Sequence, residues 1–140
     1  MAEQTFELVF DGYWREPNKG GIPDKSGVYC VYECTHDETE KNVTIHRLIY
    51  IGQGENVRTR VANHEKWNDW KKYVRGNNQL CFSFAPVDKD TIDRIEAALI
   101  FKHTPPENTE YIDSFPFDKT TIISEGRTFL LYKNFTVDRK

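Results

Sequence analysis

The run Val28-Tyr29-Cys30-Val31-Tyr32-Glu33-Cys34 most constrains how this chain can fold. It is rich in β-branched and aromatic residues, which favour an extended backbone. Side chains alternate across a strand, and both faces here are at least partly apolar: Val28, Cys30 and Tyr32 on one side, Tyr29 and Val31 on the other. A strand of that kind needs cover on both sides, so it belongs at the centre of a layered structure. The polar stretch His36 to Asn42 reads as a hairpin loop, and Val43 to Gly52 as the strand that returns.

The remaining chain supplies the cover. Thr5 to Phe10 reads as a strand, and Asp11 to Lys25 as a turn-rich segment punctuated by Gly12, Pro17, Gly20, Gly21 and Pro23. A helix is expected from Glu55 or Asn56 to about Trp70 or Tyr73, with Val57, Val61 and His64 on one face. Leu80 to Ala85 reads as a strand with Leu80, Phe82 and Phe84 on one side. Asp90 is the expected cap of a second helix, which Asp93 reinforces and Pro105-Pro106 ends after His103. Thr120 to Ser124 and Thr128 to Tyr132 flank Glu125-Gly126-Arg127 as a terminal hairpin. The expected fold class is α+β: a small central antiparallel sheet flanked by helices, with an extra N-terminal strand and a C-terminal hairpin. The 140 residues suit one domain spanning 1–140.

Charge argues against a globally basic nucleic-acid binder, since the net charge is −3. Locally the balance reverses. Between Arg58 and Arg75 lie six basic residues, Arg58, Arg60, Lys66, Lys71, Lys72 and Arg75, against two acids, Glu65 and Asp69. Trp67, Trp70 and Tyr73 fall in the same stretch and suit either stacking on bases or helix packing. Nothing near Met1 reads as a signal peptide, and no apolar run approaches membrane-spanning length. Cys30, Cys34 and Cys81 are an odd, sparse set, better read as buried thiols in a reducing cytoplasm than as disulfides. A zinc site from Cys30, Cys34 and His36 lacks the paired spacing of such centres.

Six polar residues stand out against this background. Tyr29 ends Gly27-Val28-Tyr29, and Tyr50 begins Tyr50-Ile51-Gly52. Arg60 comes ten residues after Tyr50, and His64 one helical turn beyond Arg60. Glu96 interrupts the apolar stripe Ile92, Ile95, Leu99 and Ile100, where a carboxylate is expensive unless it is paired or holds a cation. Asn108 follows Pro105-Pro106-Glu107. Arginine grips a phosphate through two donors, phenols and an imidazole move protons, and one acid completed by water and phosphate oxygens suits Mg²⁺. Each residue also has an ordinary reading: strand tyrosines, a helix-edge histidine, an ion-paired acid, a turn-forming asparagine. Arg58 turns about 100° away from Val57, towards solvent or nucleic-acid backbone.

The order and spacing of these six residues resembles the GIY-YIG endonuclease family over Gly27 to Asn108, a little over half the chain. On that resemblance Tyr29 and Tyr50 are the tyrosines of the two motifs, Arg60 and His64 the helix residues, Glu96 the metal-binding acid and Asn108 the asparagine beyond it. It implies a magnesium- or manganese-dependent endonuclease hydrolysing DNA phosphodiester bonds. Catalytic residues would be Tyr29, Tyr50, Arg60, His64, Glu96 and Asn108; Arg58, Lys66, Lys71, Lys72 and Arg75 would bind DNA. The first motif reads Gly-Val-Tyr, and the tyrosines stand 21 positions apart, longer than the family's usual separation. The surplus is expected in the loop Thr35 to Asn42, where insertion costs little. The alternative is a non-catalytic nucleic-acid-binding or regulatory module on the same fold.

Overall fold

The computed structural model describes residues 2–140. Its centre is β2 (Gly27–Asp37), buried along its whole length from Gly27 to Cys34. β2 pairs antiparallel with β3 (Asn42–Gly54) on one side and with β4 (Gln79–Pro86) on the other. Beyond β4 lies β1 (Gln4–Arg15), then β5 (Thr120–Gly126) and β6 (Asn134–Val137), giving a six-stranded sheet in the order β3-β2-β4-β1-β5-β6. The β1–β5 pairing is parallel, so the sheet is mixed rather than wholly antiparallel. The fold class is the expected α+β one.

The two apolar faces of β2 enter two separate cores. Val28, Cys30, Tyr32 and Cys34 pack with Ile92, Ile95, Leu99 and Ile100 of α3 (Ile92–His103). Tyr29 and Val31, with Leu80, Phe82 and Phe84 of β4, pack against Val57, Val61 and Trp70 from α1 (Val57–Ala62) and α2 (Trp67–Lys71). Cover on both sides is what the sequence of β2 demands.

Several boundaries differ from expectation. β1 continues to Arg15 through a register shift between Gly12 and Trp14, and a 3-10 turn, Glu16–Gly21, follows it. A bulge lets the strand absorb Gly12 without ending. The single long helix is two: Asn56 caps α1 by accepting from the Thr59 amide, but the chain leaves the helix at Asn63 and re-enters at Trp67. Thr91, rather than Asp90, stands at the N-cap of α3. That helix stops at Thr104, which adopts a left-handed conformation immediately before Pro105. The β2–β3 hairpin stays paired out to Asp37↔Asn42, so the extra length between the two tyrosines is strand rather than loop. In the terminal hairpin, Thr128 to Tyr132 is irregular and β6 begins only at Asn134. No described helix is long and apolar enough to cross a membrane.

Candidate active site

β3 is an edge strand, and there side chains from both layers meet around the rim of the sheet. A cleft of about 230 Å³ opens at this rim. Tyr50, Arg60, Glu65 and Lys66 line it from one layer, Glu96 and Ile100 from α3, and Asn108 to Tyr111 from the following loop. A larger groove of about 550 Å³ runs between β1 and the Pro86–Thr91 segment, but none of Tyr29, Tyr50, Arg60, His64 and Glu96 borders it. The small cleft has Tyr50, Arg60 and Glu96 in its walls.

Gly52 explains how the two tyrosines come together. Tyr29 is its register partner across the hairpin, and a β-carbon on Gly52 would lie 2.5 Å from the Tyr29 hydroxyl and 2.8 Å from the Tyr50 ring. Only a residue without a side chain leaves room for both rings. The Tyr29 and Tyr50 centroids are 6.3 Å apart, and His64 lies 5.5 Å from Tyr50. Trp70 closes the floor, 4.4 Å from the His64 ring. Packing therefore accounts for Trp70, which is fully buried, and for Trp67, which stacks on Phe82.

His64 sits in the loop between α1 and α2, not on a helix, yet still reaches this cluster. Its Nδ1 accepts a 3.0 Å hydrogen bond from the Lys66 amide. Burial, with Arg60 beside it, lowers its pKa to about 4. The ring is thus neutral at physiological pH with its proton on Nε2. That Nε2 and the Tyr29 hydroxyl are both buried without a hydrogen-bond partner in the protein. Buried polar groups are rarely left so, and two of them behind one cleft suit a site that meets a polar ligand.

Burial pushes the Tyr29 phenol well above its ordinary pKa and that of Tyr50 up to about 12; Arg60 opposes both shifts. Both phenols are therefore donors in the free protein. Burial also raises Glu96 to about 7, against the hydrogen bond from Gln53, while Asp93 and Glu110 add to the rise. Gln53 Nε2 donates 3.0 Å to Glu96 Oε1 and 2.6 Å to Asp93 Oδ1. A carboxyl so burdened gains from a nearby cation. Among the described residues no cluster of three or more His, Cys, Asp or Glu side chains could hold a metal ion. The donor set that remains, one carboxylate at a solvent-filled cleft, fits a hydrated hard cation.

Arg60 is already engaged. Its guanidinium donates to both oxygens of Glu65, at 2.7 and 3.1 Å, and this holds Glu65 down to about 2. Neither Glu65 nor Gln53 is singled out by sequence. A pair five residues apart is not a helical contact, and it forms here because the chain leaves the helix between them. Asn108 does not present its amide to the cleft: Oδ1 accepts from the Ile51 amide at 3.0 Å and Nδ2 donates to the Ile51 carbonyl at 2.9 Å. It stitches the Pro105–Asn108 segment to the outer edge of β3, where Glu107 N also donates to Ile49 O. The Asn108 side chain therefore holds backbone together.

The expected nucleic-acid-binding residues each have an acidic neighbour: Arg58 with Asp24, Lys66 with Glu107, Lys71 with Glu16, Lys72 with Asp69 and Arg75 with the buried Glu33. Arg58 also donates to the Ile22 carbonyl at 2.7 Å, away from the cleft. Only Lys66 borders the cleft. Cys30, Cys34 and Cys81 are buried free thiols.

Compared with known proteins, the chain is similar to the UvrABC system protein C of Rickettsia rickettsii (strain Sheila Smith) and to that of Rickettsia conorii. Each is 27% identical over 119 residues, 82% of this chain. The UvrABC system protein C of Rickettsia africae matches equally. The chain spans only 17% of the length of these relatives. No family model and no solved structure matches it.

Proposed function

We propose that this chain is a GIY-YIG-type endonuclease that hydrolyses DNA phosphodiester bonds with a divalent cation, Mg²⁺ or Mn²⁺. The observation that carries this reading is the meeting of Tyr29, Tyr50, Arg60, His64 and Glu96 at one rim of the sheet, although they come from five separate segments. The likeness to UvrABC system protein C over most of the chain supports a substrate of the nucleic-acid kind.

Each residue has a part set by its surroundings. Glu96 would hold the cation, which supplies positive charge to the phosphate under attack. Arg60 grips a phosphate oxygen pair once Glu65 yields, and it stabilises the extra charge of the transition state. Tyr50 and His64 Nε2 donate hydrogen bonds to phosphate or water. Tyr29 takes the proton of the attacking water as it passes its own to a phosphate oxygen of the substrate, so no free phenolate has to persist in a buried site. Asn108 keeps β3 and the Thr109–Tyr111 wall in register.

A non-catalytic nucleic-acid-binding or regulatory module is the second reading. It is favoured by the ion pairing of the basic side chains and by the capture of Arg60 by Glu65. A cleavage panel separates the two: duplex, nicked, branched and single-stranded DNA, plus RNA, at low salt with Mg²⁺ or Mn²⁺. The expected result is metal-dependent DNA cleavage that Glu96→Gln abolishes. Arg60→Lys should cut it by orders of magnitude while sparing binding, and Arg58→Lys should leave turnover intact. Binding without cleavage of any substrate would establish the second reading instead.

A further inference from the structure

Glu96 projects from α3 one turn beyond Asp93, and its carboxylate must be aimed at the cleft rather than along the helix. Long acids carry several rotamers, and holding one of them requires a partner. Gln53 is placed to be that partner. It lies on β3 directly after Gly52, between the strand's two close-approach glycines, Gly52 and Gly54. Its amide nitrogen donates to Glu96 Oε1 at 3.0 Å and to Asp93 Oδ1 at 2.6 Å. Both amide hydrogens are thereby spent on carboxylates one helical turn apart.

We infer that Gln53 is a positioning residue for the cation, pinning Glu96 Oε1 so that Oε2 is offered to the ion. The inference rests on the reading of Glu96 as the metal-holding acid. Three features favour Gln over other residues there. It is neutral, so it does not repel a cation as Lys or Arg would. It cannot neutralise the carboxylate by proton transfer. Its NH2 group carries two hydrogens, so the bond to Asp93 still leaves one for Glu96. Outer partners of this kind change metal affinity by about 10–100-fold when removed.

The test compares Gln53→Leu with Asp93→Ala in the full chain. Both cut a link between β3 and α3, but only the first removes the bond to Glu96. One readout needs no turnover: broadening by substoichiometric Mn²⁺ of the NMR amide signals around Glu96. The second is the Mg²⁺ concentration for half-maximal cleavage, with the rate at saturating metal measured separately. Gln53→Leu should need about tenfold or more metal in both assays, while its saturated rate stays within about threefold of wild type. Asp93→Ala should shift neither by more than about threefold. Equal losses in the two variants would reduce Gln53 to a strand–helix link and overturn the inference, as would a Gln53→Leu response like wild type. Broadening that Glu96→Gln leaves unchanged would instead overturn the metal reading itself, and the role of Gln53 with it.

Discussion

Replacing Glu96 by Gln should make the protein more stable, and the gain should depend on pH in a way that no structural ion pair would produce. The folded protein holds this carboxyl at about 7, raised from 4.5 chiefly by burial, with Asp93 and Glu110 adding to it. The folded state therefore binds this proton more tightly than the unfolded chain. Stability contributed by the group is fully present below about pH 4.5 and is lost as the pH climbs through 7. The loss amounts to about 3 kcal/mol, at 1.36 kcal/mol for each pKa unit. Gln has the same shape and no charge, and its carbonyl can accept the Gln53 hydrogen bond in place of Oε1, at some cost in strength. The net gain at pH 8 should be about 1–3 kcal/mol, or roughly 4–10 °C in melting temperature for a chain of this size. Urea denaturation of both proteins at pH 4.5, 6, 7 and 8 would measure it. The difference should be near zero at the lowest pH and grow to a plateau above 7, and added Mg²⁺ should narrow it by stabilising only the wild type. A variant less stable than wild type at pH 8, or a difference flat across the range, would show that Glu96 is a satisfied ion-pair partner and refute the reasoning.

Further expectations concern the same rim and its surroundings. Cleavage at limiting Mg²⁺ should fall as the pH drops through about 7, because protonating Glu96 expels the cation, and more Mg²⁺ should move the fall to lower pH. A separate inflection near pH 6.5 that disappears in His64→Gln would contradict the placement of that ring at about 4. Asn108→Ala strands the Ile51 amide and carbonyl at the edge of β3 and should cost about 2–3 kcal/mol in urea denaturation; a loss under about 0.5 kcal/mol would mean that the stitch is dispensable. Lys71→Ala should lose about 1 kcal/mol of stability, since Lys71 orders the Glu16 carboxylate that also caps the Leu80 amide, and should leave the salt dependence of DNA binding unchanged. Lys72→Ala, from an exposed pair, should instead reduce the log–log salt slope by up to about 0.9 at no cost in stability; the reverse pattern would exchange their roles.

What could be read in advance follows from the range of each interaction. The double-sided pattern of Val28 to Cys34 and the stripe Ile92, Ile95, Leu99 and Ile100 are local signals, and both cores form around them. A glycine inside a strand, such as Gly52, signals close approach but not which rings approach it. The helix break at Asn63–Lys66 was hidden because Val57, Val61 and His64 keep a helical spacing straight through it. Gly12 looked like a strand end because a bulge and a turn use the same residue. The Asn108–Ile51 stitch and the Gln53–Glu96 bond join positions 57 and 43 residues apart, a distance no periodicity reports. Pairing also escaped the count of basic residues, since Glu16, Asp24, Glu33 and Glu107 all come from outside the Arg58–Arg75 stretch.

The bidentate grip of Glu65 on Arg60 bears on how this rim would sense its ionic surroundings. A cationic side chain normally gathers mobile anions, and a polyanion that binds it exchanges with solution ions whose concentration sets the equilibrium. Here the exchange is with a carboxylate tethered five residues away, whose local concentration is fixed by the chain and indifferent to the buffer. Docking of a phosphate on Arg60 thus becomes a contest between two anions for one fork. The entrant that wins is the one with the better geometry and charge density.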